Sequence, residues 1–319
     1  MTPRSAPPLR LLFWEATARC NLSCVHCRRV GPEAGELPTE AVRELFASAA
    51  TLGRPIVVFS GGEPLLRGDW AELAEAAGAL GLPTALATNG TLIDDATAQR
   101  IAAAGFRRVA VSLDGADGRT HDAFRGVAGA FARAMAGVVA LRAAGLPVQI
   151  NATIAAHNDA QLDDLYALAG GLGAAALHLF LLVPVGCGAR IAETHQLSPA
   201  RYEQVLHWVC DRQAAGPLEV RATCAPHYQR VAAQRGLARE GSRGCLCGVS
   251  VLFVRHDGEV FPCGYLPVRC GSVREGPLAE VWRGSPVLGA LRRTEQLKGK
   301  CGRCEFRAVC GGCRARAYA

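Results

Sequence analysis

The sequence predicts an α/β fold, in which a partial barrel of six strand–helix repeats precedes a small cysteine-rich module. From Leu11 to about Gln213, short β-branched or apolar runs alternate with longer segments that have the apolar period of a helix. After about Pro217, glycines, cysteines and short strands replace that pattern. Repeated strand–helix units pair their strands in parallel, and such folds carry their chemistry at the carboxyl ends of the strands. We expect a barrel domain over residues 1–216 and a second module over residues 217–319.

The predicted elements follow one another in regular order along the barrel. The strands are predicted at Leu11–Thr17, Ile56–Ser60, Thr84–Asn89, Arg108–Asp114, Val148–Ile154 and Leu177–Val183. The helices are predicted at Thr39–Leu52, Trp70–Leu80, Asp94–Ala104, Ala128–Ala144 and Asn158–Ala169. Thr39 and Asp94 are suitable N-cap residues. The second module is expected to contain strands Val249–Arg255 and Glu259–Phe261 and a helix Leu278–Arg293.

Composition narrows the class of protein. Hydrophobic residues make up 50% of the chain and charged residues 20%, which fits a packed domain rather than a disordered one. The longest apolar stretch, residues 174–185, is interrupted by His178 and Pro184, so we expect no membrane span. The net charge of +7 is scattered, with five tyrosines and four tryptophans available for stacking, and we expect no nucleic-acid partner.

Fourteen cysteines require an explanation of their own. The N-terminal residues lack an apolar segment followed by a small-residue cleavage site, so the sequence predicts a cytoplasmic protein. Thiols in the cytosol stay reduced, which makes a disulfide framework the less suitable interpretation. We therefore expect the cysteines to bind metal.

The first cysteine motif is Cys20-Asn-Leu-Ser-Cys24-Val-His-Cys27, which follows the first predicted strand directly. Three thiolates can bind three irons of a [4Fe–4S] cluster and leave the fourth iron open to a small molecule. A structural zinc ion normally requires a fourth protein ligand, which His26 could supply. The motif therefore predicts an iron–sulfur site with one open iron, and a zinc site is the alternative.

Polar residues stand at the ends of the next four predicted strands. Glycines allow close approach of the backbone to a ligand, and a carboxylate there can pair with an ammonium group. Each motif alone is also compatible with an ordinary turn. The residues are Gly61, Gly62, Glu63 and Pro64 after the second strand, Thr88 and Asn89 at the third, Ser112 and Asp114 at the fourth, and Asn151 and Thr153 on the fifth.

A second set of cysteines lies in the C-terminal third. Paired C-x-x-C units bring sulfurs together on one turn, so that four of them can enclose a metal, as in a zinc ribbon. Cys245 and Cys270 are candidates for a second cluster or for free thiols, and Cys210 is expected to be a buried helix residue. The candidate metal ligands are Cys247, Cys263, Cys301, Cys304, Cys310 and Cys313.

Taken in this order, the motifs resemble those of the radical SAM superfamily, enzymes that cleave S-adenosylmethionine (SAM) at a three-cysteine [4Fe–4S] cluster. The resemblance implies that the loop 61–64 holds the SAM amino group and that the other strand-end residues hydrogen-bond the rest of SAM. It also implies that the C-terminal cysteines form a SPASM or twitch extension with at least one auxiliary [4Fe–4S] cluster. The sequence departs from this pattern in having Cys187 where arginine is common, two residues rather than three before Cys313, and no cysteine after it.

A narrower resemblance is to the anaerobic haem b synthase group. It is carried by residues 13–17, 224–228, 262–265, 297–302 and 313–318. It implies oxidative decarboxylation of two propionates of the tetrapyrrole iron-coproporphyrin III to vinyl groups, with an external electron donor such as a flavodoxin or a ferredoxin. His227, Tyr228 and Arg314 would then be candidate substrate residues.

Three alternatives remain open from the sequence. A sister enzyme acting on didecarboxysirohaem, or in haem d1 formation, would share the same cluster motifs. A peptide-modifying SPASM enzyme would be expected to have a peptide-binding domain ahead of the first cysteine, where about 19 residues stand here. A non-catalytic zinc or electron-transfer protein would need the cysteines but would leave the other strand-end motifs without a role.

Overall fold

A single sheet of ten strands organises the computed structural model, which describes residues 6–29, 35–237 and 241–319. The strand order is β10-β9-β8-β1-β2-β3-β4-β5-β6-β7. The strands are β1 Leu11–Glu15, β2 Ile56–Ser60, β3 Thr84–Thr88, β4 Arg108–Ser112, β5 Val148–Ile154, β6 Ala176–Leu181, β7 Glu219–Thr223, β8 Val251–Val254, β9 Glu259–Phe261 and β10 Gly271–Ser272.

Helices connect and cover these strands. Asp94 caps its helix as predicted, because its side chain accepts a hydrogen bond from Thr97 N at 2.8 Å. The predicted Thr39 cap is wrong: Pro38 precedes the helix, and the Thr39 hydroxyl donates to Asp69 instead. The helices are α1 Thr39–Ala50, α2 Trp70–Ala79, α3 Asp95–Ala103, α4 Gly118–Arg125, α5 Ala130–Ala143, α6 Leu162–Gly171, α7 Ala192–His195, α8 Pro199–Ala215, α9 Tyr228–Gln234, α10 Leu278–Gly284, α11 Pro286–Leu291, α12 Gly299–Arg303, α13 Arg307–Cys310 and α14 Arg314–Tyr318.

The strands from β1 to β7 pair in parallel, which confirms the predicted α/β barrel-type fold. Apolar side chains from strands and helices fill the space between the layers. Trp14 on β1 packs edge-to-face on Phe46 of α1 and on Phe59 of β2, with ring centroids 5.5 and 5.1 Å apart. This aromatic contact fixes the strand that leads into the first cysteine motif.

The sheet does not stop at the predicted domain boundary. β7, which lies beyond residue 217, pairs in parallel with β6 and adds a seventh parallel strand to the barrel. β8 then returns to the other edge and pairs in parallel with β1, while β9 and β10 follow in antiparallel order. The division at residues 216 and 217 stays a prediction, because the two parts share one hydrogen-bonded sheet.

One predicted helix of the second module is broken. The segment predicted as Leu278–Arg293 forms α10 and α11, which are separated at Ser285. Pro286 begins α11, because proline has no N–H to continue the hydrogen bonds of α10 but is well suited to the first turn of a helix.

Within the described ranges, no helix by itself has both the length and the apolar character needed to cross a membrane. Taken together, α4 and α5 have the length and composition of a span, but the two helices meet at a bend of 104°.

Candidate active site

The first three cysteines lie in the loop that follows β1. Cys20, Cys24 and Cys27 are all partly exposed free thiols. The chain turns between the last two, because Cys27 N donates to Cys24 O at 3.2 Å. Cys27 interacts electrostatically with both Cys20 and Cys24, so the three thiols lie within electrostatic range of one another at the barrel mouth.

The donor set fits a cluster better than a single zinc ion. Zinc binds thiolates at about 2.3 Å, so its ligands must converge on one point. In the ranges that the structure describes, no three His, Cys, Asp or Glu side chains are arranged to hold a single metal ion. His26 does not complete such a site, since its ring stacks on Phe124 at 4.0 Å and its Nε2 lies 3.5 Å from Asp114 Oδ2. Three separated thiols suit three corners of an iron–sulfur cube.

An arginine that the sequence motifs do not include lies against this loop. Arg125, at the end of α4, places Nε 2.7 Å from Asp114 Oδ2 and a terminal nitrogen 3.7 Å from Cys24 Sγ. Burial raises the pKa of the Cys24 thiol, and the Arg125 charge offsets part of that rise. Arg125 therefore connects the strand-end carboxylate to the cysteine loop and supplies positive charge beside a thiolate.

Asp114 is the centre of this polar contact. Its side chain is fully buried and accepts a hydrogen bond from Thr153 N at 2.7 Å. Burial alone would raise its pKa, but the charge of Arg125, together with His26 and the hydrogen bond from Thr153 N, outweighs burial and holds the pKa below the ordinary value. Asp114 is therefore an ionised carboxylate whose partners lie on three different segments.

The two glycines of the Gly-Gly-Glu-Pro turn lie directly against the segment that precedes Cys20. Their close approach to a ligand stays a prediction. A Cβ on Gly62 would lie 2.1 Å from Arg19 O, and Gly62 N and Glu63 N donate to Thr17 O and Arg19 O at 2.8 Å each. Glycine is required here because the turn packs directly on the segment that precedes Cys20.

Glu63 lies at the centre of a hydrogen-bonded network that reaches the cysteine loop. It accepts hydrogen bonds from the Thr88 hydroxyl and from Asn89 N, both at 2.8 Å. The Asn89 amide donates in turn to Asn21 Oδ1, next to Cys20, at 2.9 Å. Complete burial raises the pKa of Glu63 to about 7, against the opposing effect of these hydrogen bonds. The carboxyl group is thus near its point of ionisation at neutral pH.

The remaining predicted residues lie at the same strand ends. Pro64 begins a short 3₁₀ turn that Glu63 caps. Ser112 and Asn151 are direct neighbours in the parallel pairing of β4 with β5, and Asn151 Oδ1 accepts from Gln149 at 2.7 Å. The structure therefore brings the predicted residues of β2 to β5 to one end of the sheet.

An open cavity of ≈ 500 Å³ lies beside the cysteine loop. Its lining includes Val25 of the loop together with Phe124 and His157, and Phe124 stacks between His157 and His26. The Phe124 and His157 centroids are 3.8 Å apart, and His195 completes this wall. A small molecule can therefore reach the loop from this side.

The C-terminal cysteines form two groups. Cys301 and Cys304 act electrostatically on Cys310, Cys263 acts on Cys313, and Cys245 acts on both Cys310 and Cys313. The four residues of the two C-x-x-C units are therefore divided between the groups. Outside both groups, Cys210 is fully buried in α8, as predicted, and Cys270 contacts Val268 O at 3.7 Å.

The candidate substrate residues are not brought to one point. His227 precedes α9 and packs on Tyr202 with ring centroids 4.6 Å apart, and burial lowers its pKa to about 4. The Tyr228 hydroxyl donates to Gln213 of α8 and so contributes to helix packing. Arg314 begins α14 directly after Cys313. Their roles toward a substrate stay predictions.

The family comparisons agree with this geometry. The family described as the radical SAM superfamily matches residues 14–169, and the iron–sulfur cluster-binding SPASM domain matches residues 245–305. The crystal structure of Streptococcus suis SuiB bound to S-adenosylmethionine has a TM-score of 0.80 at 20% identity, covers 98% of this chain and 74% of that one, and shows the shared fold. Fold and site together define a SAM-dependent enzyme with a catalytic [4Fe–4S] cluster and an auxiliary iron–sulfur module.

Two curated relatives narrow the family. The AdoMet-dependent heme synthase of Methanosarcina barkeri is 46% identical over 97% of this chain and 92% of that protein. The pre-heme d1 synthase of Dinoroseobacter shibae is 36% identical over 96% of this chain and 81% of that protein. This chain belongs to the radical SAM superfamily, in the family of the AdoMet-dependent haem synthases.

Proposed function

We propose that this chain converts two propionate side chains of iron-coproporphyrin III to vinyl groups and so produces haem b. The observation that carries the proposal is the 46% identity to a haem synthase across nearly the whole of both chains. The pre-haem d1 synthase, which represents the main alternative, is 36% identical. The site geometry supports the reductive cleavage of SAM. The comparison supports iron-coproporphyrin III as the tetrapyrrole substrate.

In this proposal, the residues at the barrel mouth hold and orient SAM. Cys20, Cys24 and Cys27 would bind the cluster, which when present supplies one electron for reductive cleavage of SAM. Glu63 would pair with the SAM ammonium group, and its network would fix the position of that group relative to the loop. The other strand-end residues, Gly61, Gly62, Pro64, Thr88, Asn89, Ser112, Asp114 and Asn151, would shape the rest of the SAM site.

Formation of each vinyl group releases carbon dioxide, a hydrogen atom and one electron, and that electron needs an acceptor. We assign this role to an auxiliary cluster of the C-terminal module. An external one-electron donor, a flavodoxin or a ferredoxin, would reduce the first cluster. All fourteen cysteines are free thiols, which favours the reducing environment of the cytoplasm for this chemistry.

The pKa of Glu63 predicts a pH dependence of SAM binding. An acid with a pKa of about 7 is mostly protonated at pH 6 and mostly ionised at pH 8, and only the ionised form pairs with an ammonium group. We expect SAM to bind about fivefold more tightly at pH 8 than at pH 6, because the ionised fraction of Glu63 rises about tenfold while about half of the α-ammonium of SAM is lost. Equilibrium dialysis of the anaerobic holoprotein with labelled SAM measures this.

The matched variant for that experiment is Glu63→Gln, which keeps the size of the side chain and removes its charge. It should bind SAM weakly at both pH values and show no rise between them. An equally steep rise in the variant would assign the pH dependence to another group.

Product analysis tests the proposed substrate. Anaerobic holoprotein incubated with iron-coproporphyrin III, SAM and dithionite should give haem b and 5′-deoxyadenosine, identified by mass spectrometry. Parallel reactions with didecarboxysirohaem should leave that compound unchanged. Consumption of didecarboxysirohaem, with iron-coproporphyrin III recovered intact, would contradict the proposal and favour a sister enzyme.

A further inference from the structure

The open cavity beside the cysteine loop has one wall that is made of aromatic rings. Phe124 stacks on His157 with ring centroids 3.8 Å apart, and the His195 ring lies 6.1 Å from Phe124 and 5.9 Å from His157. Val25 and Ile191 add apolar surface to the same cavity. Its volume of ≈ 500 Å³ is typical of a site for a small molecule with a large apolar surface.

The hydrogen bonds of His195 leave one of its ring nitrogens free. The Thr194 hydroxyl oxygen lies 2.8 Å from His195 Nδ1 and 3.2 Å from Ile191 O, an atom that can only accept. With its one proton donated to Ile191 O, the hydroxyl accepts from Nδ1–H, and Nε2 keeps its lone pair. Within the described ranges Nε2 has no hydrogen-bond partner, and it is open to solvent. A histidine held in this way through its other nitrogen has the usual arrangement of a metal ligand.

The second histidine of the lining is arranged differently. His157 Nε2 lies 3.3 Å from Asp114 O, which can only accept, so Nε2 carries the proton. The other nitrogen, Nδ1, is buried, and the ring stacks on Phe124. His157 is therefore a part of the wall. Of the two histidines in the lining, His195 is the one whose free nitrogen is open to solvent.

The lining also contains an exposed cation, Arg119. In the part of the chain that the structure describes, no ion pair or hydrogen bond engages the Arg119 side chain. Asp117, the acidic residue of the lining, already accepts hydrogen bonds from Thr120 N at 2.8 Å and from Gln161 at 2.6 Å. A guanidinium with free donors binds a carboxylate through two parallel hydrogen bonds. The cavity thus offers both a nitrogen lone pair and a partner for a carboxylate.

We propose that this cavity binds the iron-coproporphyrin substrate, with His195 Nε2 as an axial ligand of its iron and Arg119 paired with one of its propionates. Imidazole is a common axial ligand of haem iron. The proposal rests on the proposed function, because it names the residues that hold the substrate assigned there. His227, the histidine that the sequence indicated for this role, packs on Tyr202 and lies outside the lining.

The orientation of the rings agrees with an axial ligand. The planes of His195 and Phe124 differ by 25°, and those of Phe124 and His157 by 18°. A macrocycle bound through Nε2 lies across the imidazole plane, so it meets the other two rings edge to face. Aromatic groups favour that contact over a face-to-face sandwich. One imidazole and its two aromatic neighbours would therefore fix the plane of the macrocycle together.

Spectroscopy of the bound iron tests the assignment without product formation. Oxidised [4Fe–4S] clusters give no electron paramagnetic resonance signal, so the spectrum of the holoprotein with ferric coproporphyrin III reports the iron of the macrocycle. In protein labelled with nitrogen-15 histidine, this iron should show hyperfine coupling to one protein nitrogen. The coupling should be lost in His195→Ala and kept in His207→Ala, a change at an exposed residue of α8. Added imidazole should restore the spectrum of nitrogen-ligated iron in His195→Ala.

Affinities for the iron and metal-free macrocycles give a second measurement. The wild-type chain should bind iron-coproporphyrin III at least about tenfold more tightly than metal-free coproporphyrin III, and His195→Ala should bind the two equally. Arg119→Gln should weaken the binding of both by about threefold to fivefold and keep the spectrum, because it removes a carboxylate partner and not the iron ligand. The control Arg107→Gln, exposed just before β4 and so at the opposite end of the strand, should change neither affinity.

Absence of the histidine coupling in the wild-type protein, or its retention in the His195→Ala protein, would overturn the assignment. Rescue by imidazole requires an intact cavity, so it separates the loss of the ligand from a loss of the fold. A wild-type chain that binds the iron through His195 but forms no haem b would contradict the proposed function and leave this site standing. A chain that forms haem b while His195→Ala keeps the coupling would do the reverse.

Discussion

Replacing Cys24 by alanine should reduce the formation of 5′-deoxyadenosine from SAM to the level of a protein-free blank, a loss of at least about a thousandfold. Two thiols cannot hold the cluster in place of three, and the variant loses the reductant that attacks SAM. Arg125 would also lose the thiolate that it contacts at 3.7 Å. Anaerobic incubation with dithionite and SAM, followed by chromatography of the nucleoside, measures the effect.

Cys210→Ala is the matched control for that variant. Cys210 is fully buried in α8, apart from both groups of C-terminal cysteines, so this change removes a thiol without removing a proposed ligand. It should retain the iron content and the rate of SAM cleavage. If the Cys24→Ala protein cleaved SAM at the rate of the control, the assignment of the first motif as the catalytic cluster site would be wrong.

Replacing Asp114 by alanine should lower the free energy of unfolding by about 3–5 kcal/mol, because it leaves the buried Arg125 charge without its carboxylate partner. Asp114 is fully buried, and the exposed fraction of the Arg125 side chain is only 11%, so water cannot replace the lost partner. Urea denaturation of the anaerobic holoprotein, followed by circular dichroism, measures the change.

Asp163→Ala provides the comparison at an exposed ion pair. Asp163 pairs with Arg212, but its side chain is 70% exposed, so its loss should cost less than about 1 kcal/mol. Equal losses of stability in the two variants would show that burial of the Asp114–Arg125 pair does not have the energetic importance that we assign to it.

The barrel strands were predictable because each is a short apolar run between helix-like segments. β2, β5 and β9 have the predicted bounds, and the other predicted barrel strands differ by a few residues at their ends. β7 was not predicted, because the sequence Glu-Val-Arg-Ala-Thr of this edge strand alternates polar and apolar residues over only five positions. The return of β8 to pair with β1 depends on contacts between residues about 240 positions apart, which no local pattern encodes.

The strand-end residues of the site were predictable, but the contacts among them were not. Arg125 was missed because α4 was not predicted, although Asp117, which caps it through Thr120 N, and Gly126, which ends it, are recognisable signals. The packing of the Gly-Gly turn on the chain was not predictable, since only the folded chain shows that Arg19 O occupies the space beside Gly62.

The pairing of β8 with β1 has a mechanical consequence. β1 leads into the loop of Cys20, Cys24 and Cys27, and the chain from β8 and β9 leads to Cys263. The hydrogen bonds between β1 and β8 therefore connect the strands that precede the first cluster site and the proposed auxiliary site. A hinge between barrel and module would have to break that ladder. The distance between the cluster that receives the electron and the cluster that accepts it from the substrate is thus set when the chain folds. Any movement that admits a flat macrocycle is therefore confined to the loops at the barrel mouth.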